Sequence, residues 1–187
     1  DVTAWTDDRF TTPLSLDELT QKTSGGFDTA DRVDINDPSK IVARVVTLKS
    51  FDPNSVIKLR IKEEWVFDRE SSRMFCRILG IAPIETKYNE NGQERGSSVM
   101  FWIYYPDLRP TLTKYEVYNP KNMGQSRMTW EELFESRMFS SYILKSTMDN
   151  ASNKNIRQYI TDPILRLLEG DNIKEKIFNF EQDLWSY

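Results

Sequence analysis

The residues of this chain that could do chemistry are carboxylates and a single thiol. Asp28, Asp31, Asp34 and Asp37 recur at every third position, Glu63-Glu64 and Glu131-Glu132 are adjacent pairs, and Cys76 is the sole cysteine. A calcium loop needs oxygens at alternate positions and a glycine at its turn. A spacing of three supplies neither, so the Asp series reads as a solvated acidic loop. Adjacent glutamates point to opposite faces of a strand or diverge around a helix, so neither pair converges as an acid–base couple. Cys76 lies in the strand pattern RMFCRIL, where the expected role is a small buried hydrophobe. No histidine occurs anywhere. The commonest general base and metal ligand is thus missing, together with every triad or zinc site that needs it. No catalytic residue, metal or cofactor is expected. Asn150-Ala151-Ser152 fits a glycosylation triplet, a pattern that arises often by chance.

Composition frames the same reading. A chain of 187 residues suits one domain with a real core. Net charge is −4, and the 25 basic residues are dispersed rather than striped, which does not suit a phosphate-tracking surface, so no nucleic acid is expected. No apolar run approaches the length of a membrane span. A single cysteine forms no internal disulfide. The chain begins at Asp1 rather than methionine, which leaves room for a processed or truncated start.

The elements that would position these groups follow from periodicity. The first ten residues read as acidic and irregular. Ser15 with Glu18 makes a capping box, and Leu14 is placed to staple onto Leu19. Residues 23–40 are polar and turn-rich and predict a surface loop. Ile41–Leu48 suits a strand, and Asp52-Pro53 caps a helical turn through Val56 to Leu59. From 61 to 105 the chain writes a block of strands. Residues 74–82 are apolar on both faces, as in an interior strand; Ala82-Pro83 bends the chain; Asn89 to Gly92 is a hairpin signal; residues 99–105 form a further strand that Pro106 stops. Thr129 with Glu132 is a second capping box, opening a helix over TWEELFESRMF that turns Trp130, Leu133, Phe134 and Met138 inward. FSSYILKS, from Phe139, is read as a strand. Asp162 caps a helix with Pro163 at its first position, Gly170 closes it, and Asn172 with Glu175 opens a last helix. Ile173, Ile177, Phe180 and Leu184 share its buried stripe.

The fold class expected is α+β: a single domain in which an antiparallel β-meander packs against helices from the C-terminal third. Residues 1–50 read as an N-terminal extension and 51–187 as the core domain. Aromatics make up 12% of the chain, with five Trp, eight Tyr and ten Phe. Phe178, Trp185 and Tyr187 fall off the stripe of the last helix. They are therefore the candidate partner interface, since Trp, Tyr and Phe are favoured at protein contacts.

Four segments in order carry a family resemblance: IKEEWVFDRESSRMFCRILGIAPI from Ile61, FWIYYPDLRPTLTKYEVYNP from Phe101, RMFSSYILK from Arg137, and ITDPILRLLEGDNIKEKIFNFEQDLWSY from Ile160. Together they resemble the GldN/PorN family of bacterial gliding motility and type IX protein secretion. DDRFTTPLSLDE near the start resembles family wording more weakly. The resemblance implies a non-enzymatic structural subunit exported to the periplasm, on the inner side of the outer membrane. Its partners would be an outer-membrane lipoprotein (GldK/PorK) and a motor stalk protein (GldM/PorM), with self-association in a ring. Family members carry a longer N-terminal part, so the chain reads as a fragment. Two other readings stay open: a module binding peptidoglycan or lipid headgroups in an aromatic-lined pocket around Trp65 and Trp102, and a hydrolase working with carboxylates alone.

Overall fold

One strand organises the sheet. The structure, a computed structural model, describes residues 2–24, 27–33, 41–48, 51–89, 91–119 and 127–184, with residues 27–33, 41–48 and 184 described by backbone alone. Among these, β1 is Ala4–Trp5, α1 Leu16–Thr23, β2 Phe27–Val33, β3 Ile41–Leu48, β4 Val56–Asp68, β5 Arg73–Tyr88, β6 Glu94–Val99, β7 Trp102–Tyr104 and α2 Tyr105–Leu112. β8 (Glu116–Val117), β9 (Met128–Thr129), α3 (Trp130–Glu135) and α4 (Pro163–Leu184) follow. The class is α+β, as the sequence predicts. The five-stranded antiparallel sheet has the order β1-β7-β5-β4, with β6 also paired to β5. The apolar run expected as an interior strand is the buried part of β5: Ile78, Ile81 and Ala82 are all buried.

The chain divides into two compact units, Asp1–Glu64 with Ile78–Thr111, and Trp65–Arg77 with Leu112–Tyr187. In the first, Pro83 does not end its strand. β5 continues to Tyr88, and the partner strand absorbs the irregularity instead. Ile81 pairs with Ile103 and Ile84 with Val99, so one extra residue is fitted between β6 and β7. A proline has no N–H to give to a ladder, and a bulge opposite it removes the demand. Pro83 still accepts a hydrogen bond from the Met100 amide at 3.0 Å. The hairpin signal holds: Gly92 has φ 72°, and its amide bonds Asn89 O at 2.9 Å.

Residues 2–10 are only partly irregular. β1 pairs with β7, and the loop that follows is closed by Leu14 N to Ala4 O and Thr6 N to Thr12 O. At its tip Phe10 adopts φ 58°. Its ring makes edge contacts with Trp5 and Tyr104, and the ammonium of Lys62 lies 5.4 Å from its centroid. Lys62 also donates to Asp8 O. The ring fits because residue 80 is glycine: a Cβ there would meet Phe10 Cζ at 2.5 Å. Of the predicted loop at 23–40, residues 27–33 are β2, paired antiparallel to β3 in a separate two-stranded sheet. Asp28 and Asp31 therefore lie on a strand, whose alternation the every-third spacing of the acids concealed. Asp34 and Asp37 lie outside the described residues.

Both capping boxes are present. Hydrogen bonds from the Ser15 amide and hydroxyl hold the Glu18 carboxyl below the usual glutamate range. In the second unit α3 is shorter than predicted. It stops at Glu135, with Arg137 at φ 54°, and the bonds Met138 N to Leu133 O and Arg137 N to Phe134 O form a Schellman cap. Of its expected inward residues Phe134 is buried, but Trp130 is 37% exposed. FSSYILKS forms no strand; its Leu144 carbonyl accepts instead from the Ile156 amide, twelve residues on. Pro106, expected only to stop a strand, lies in the first turn of α2, where proline is tolerated, and Pro110 lies inside that helix. The helical turn expected through Val56 to Leu59 is a single turn over Pro53–Ser55, because Val56 already starts β4.

Two glycines test this account with opposite signs. Gly80→Ala should displace Phe10 and destabilise by about 1–3 kcal/mol through overpacking. Gly170→Ala, inside α4 with 3.6 Å of clearance to Ile143, should stabilise by up to about 1 kcal/mol. Urea unfolding of both variants checks the pair. A second measurement concerns the α1 cap. Because the Glu18 pKa is lowered on folding, the cap's contribution is complete above the ordinary glutamate value and fades as pH falls through the lowered one. NMR titration should therefore place the Glu18 midpoint lower in the parent chain than in Ser15→Ala.

Candidate partner interface

α4 exposes more apolar surface than it buries. Asp162 Oδ1 accepts from the Ile164 amide at 2.7 Å and the Leu165 amide at 3.2 Å, and Pro163 opens the helix as expected. Arg166 ties this end down by donating to the carbonyls of Ile160 and Thr161. The helix then runs through Gly170 for 22 residues, where the sequence reading placed two helices. One interior glycine costs only about 1 kcal/mol, and its neighbours are good helix formers. Gly170 lies on the buried side against Ile143.

That buried side is a narrow stripe. Gly170 and Ile173 are buried, with Arg166, Glu169 and Ile177 half-buried along the same line. Phe180, expected on the stripe, is 49% exposed. On the other side Ile164 (70%), Leu165, Leu167 and Leu168 are more than half exposed, and so is Phe178. Four apolar side chains among five consecutive positions exceed what one stripe of a 3.6-residue helix can cover. Splitting the helix at Gly170 hid this run from the sequence reading, and its signal was ILRLL itself. Of the three predicted interface residues, Phe178 is on this exposed side, while Trp185 and Tyr187 lie outside the described residues. Behind the stripe Lys176 Nζ pairs with Asp149 at 3.0 Å, a contact that raises the lysine's pKa.

A second cluster of the same unit surrounds Arg137. Its guanidinium lies 5.9 Å from the Trp65 ring centroid and 5.7 Å from that of Phe139, and its Nη1 is 2.9 Å from Cys76 Sγ. Cys76 is half-buried rather than enclosed, with the Arg137 guanidinium beside its sulfur. A left-handed backbone suits glycine, yet arginine occupies it here.

The other sites weighed from the sequence do not assemble. Among the described residues the buried polar side chains are Thr86 and Asn119, and no carboxylate is among them. No three of His, Cys, Asp and Glu gather there to hold a metal ion. Glu132 is committed to its cap, accepting from the Thr129 amide at 2.8 Å. Trp102 is buried, Trp65 is 47% exposed, and neither lines the apolar hollow of about 320 Å³ formed by Phe51, Pro53, Val56, Pro83, Met100, Phe101 and Thr23. No helix among the described residues is long and apolar enough to cross a membrane.

Arg137 offers a direct check. Arg137→Gly removes about 1 kcal/mol of left-handed strain and two cation–π contacts of about 0.5–1 kcal/mol each. Stability in urea should shift by less than about 1 kcal/mol while Trp65 emission moves, as judged against Trp65→Phe. A loss of several kcal/mol would mean the cluster is a structural keystone instead.

A search of the curated proteins found no match. A family model described as "Gliding motility associated protein GldN" matches residues 1–186, extending the likeness across the N-terminal residues as well. The chain belongs to the GldN family of gliding motility associated proteins.

Proposed function

We propose that this chain is a non-enzymatic structural subunit of the type IX secretion and gliding motility machinery. It acts in the periplasm, building a ring with an outer-membrane lipoprotein of the GldK/PorK kind and meeting a motor stalk protein of the GldM/PorM kind. Family membership supports the machinery. The observation that carries an assembly role is the apolar side of α4, where Ile164, Leu165, Leu167, Leu168 and Phe178 stand exposed. Runs of exposed apolar residues of this kind mark interaction surfaces. A closed ring would multiply a modest contact at each subunit through avidity. Half-buried Ile177 and buried Ile173 hold the helix while its opposite face stays available.

Co-expression of the full-length protein with its lipoprotein partner should give ring-shaped particles visible by electron microscopy. Leu167→Ser with Leu168→Ser, and separately Phe178→Ser, should leave urea stability within about 0.5 kcal/mol, because these side chains are exposed. The same changes should weaken assembly by at least roughly tenfold, as truncation of an interface anchor does. Particles that form undiminished with all three residues replaced would move the interface off α4. A full-length protein that stays monomeric beside its lipoprotein would remove the ring reading altogether.

A further inference from the structure

The edge strand of the sheet carries a second unsatisfied surface, within the first unit. Among the described residues β4 hydrogen-bonds to β5 alone, so its outer edge presents a row of backbone N–H and C=O groups. Side chains alternate across a strand. Over 57–60 this puts Ile57 and Leu59 on one face, exposed by 59% and 44%. The other face carries Lys58 and Arg60. Neither has an ion-pair partner among the described residues, whereas Lys62 further along is engaged with Asp8 and Phe10. Arg60 is half-buried, and its Nε is buried with no hydrogen-bond partner. A half-buried guanidinium with one N–H unsatisfied is costly, and an anion brought to its open side would offset part of that cost.

We propose that the outer edge of β4, over Val56–Glu64, takes up an extended segment of a partner protein in which acidic residues alternate with apolar ones. Backbone pairing would supply affinity, the acids would meet Lys58 and Arg60, and the apolar residues would cover Ile57 and Leu59. A second copy's β4 is a weaker occupant than an acidic strand. Antiparallel pairing centred on Arg60 sets Arg60 against Arg60 and Lys58 against Lys62; pairing centred on Ile61 sets Arg60 against Lys62 although Lys58 meets Glu64; and pairing centred on Lys62 sets Arg60 against Glu64 but leaves Lys62 against Lys62. Like charges directly opposite repel. The inference does not depend on the α4 surface: either can fail while the other stands.

The probe is a blocked peptide alternating Val and Glu, about seven residues long to match a typical strand, with a Val/Lys peptide of equal length as control. It is titrated against the full chain by fluorescence anisotropy. Saturable binding of the Glu peptide, weakening with salt, is expected. Alternate amides between residues 57 and 63 should gain hydrogen-exchange protection. Arg60→Met should bind roughly tenfold more weakly, since a charged hydrogen bond is lost, while its thermal midpoint stays equal or rises. Lys58→Gln, at an exposed position, serves if that variant folds poorly, and should also weaken binding. Equal binding of the Lys peptide would overturn the proposal, as would binding that leaves the β4 amides unprotected. Protection of β4 that grows with protein concentration and no peptide would assign the edge to a second copy instead.

Discussion

A proline in the middle of the longest strand governs the first unit. β5 pairs with β4 on one side and with β6 and β7 on the other, so an interruption in it would cost the sheet its axis. Pro83 cannot donate to a ladder, and the structure answers by breaking the partner rather than the strand. The register slip between β6 and β7 is the consequence. It leaves β7 as a short segment, Trp102–Tyr104, whose outer edge is closed by β1. β1 in turn starts the loop that lays Phe10 over Gly80. A missing hydrogen at one position is thus linked, through register, to the way the first fourteen residues are tied down.

The sequence was most legible where a local hydrogen bond decides the structure. Ser15, Thr129 and Asp162 each satisfy helix-end amides, and the hairpin at Gly92 needs a backbone that glycine adopts easily. Such features act within four residues and do not wait for tertiary packing. Legibility failed where distant residues decide. Ala4–Trp5 is a strand only because β7 offers an edge, and Phe27–Val33 because β3 lies beside it. Gly170 was read as a terminator from propensity, but about 1 kcal/mol of propensity does not stop a helix whose buried stripe continues through Ile173 and Ile177.

Exposure on the last helix was legible only in part. Phe178 is exposed, as its place off the stripe suggests. The exposure of Ile164 to Leu168 was not legible, since two helices divided at Gly170 have no common azimuth. Restoring the helix to 22 residues fixes one azimuth for the whole element, and that azimuth leaves the leucines outward. The error in secondary structure and the missed surface therefore have one cause.

The two surfaces differ in the physics by which they would choose a partner. The α4 side is apolar and non-directional, so its affinity scales with area and discriminates weakly between greasy neighbours. The β4 edge is directional: ladder groups fix the course of an incoming strand, and two cations at alternate positions fix its register and sign. A subunit of the proposed ring, which would join copies of itself and other proteins, would gain from keeping these modes apart. A partner suited to one surface then has little to offer the other. Arg60 makes the division testable in a single side chain, because its half-buried guanidinium keeps an unpartnered Nε that an incoming acid would help to offset.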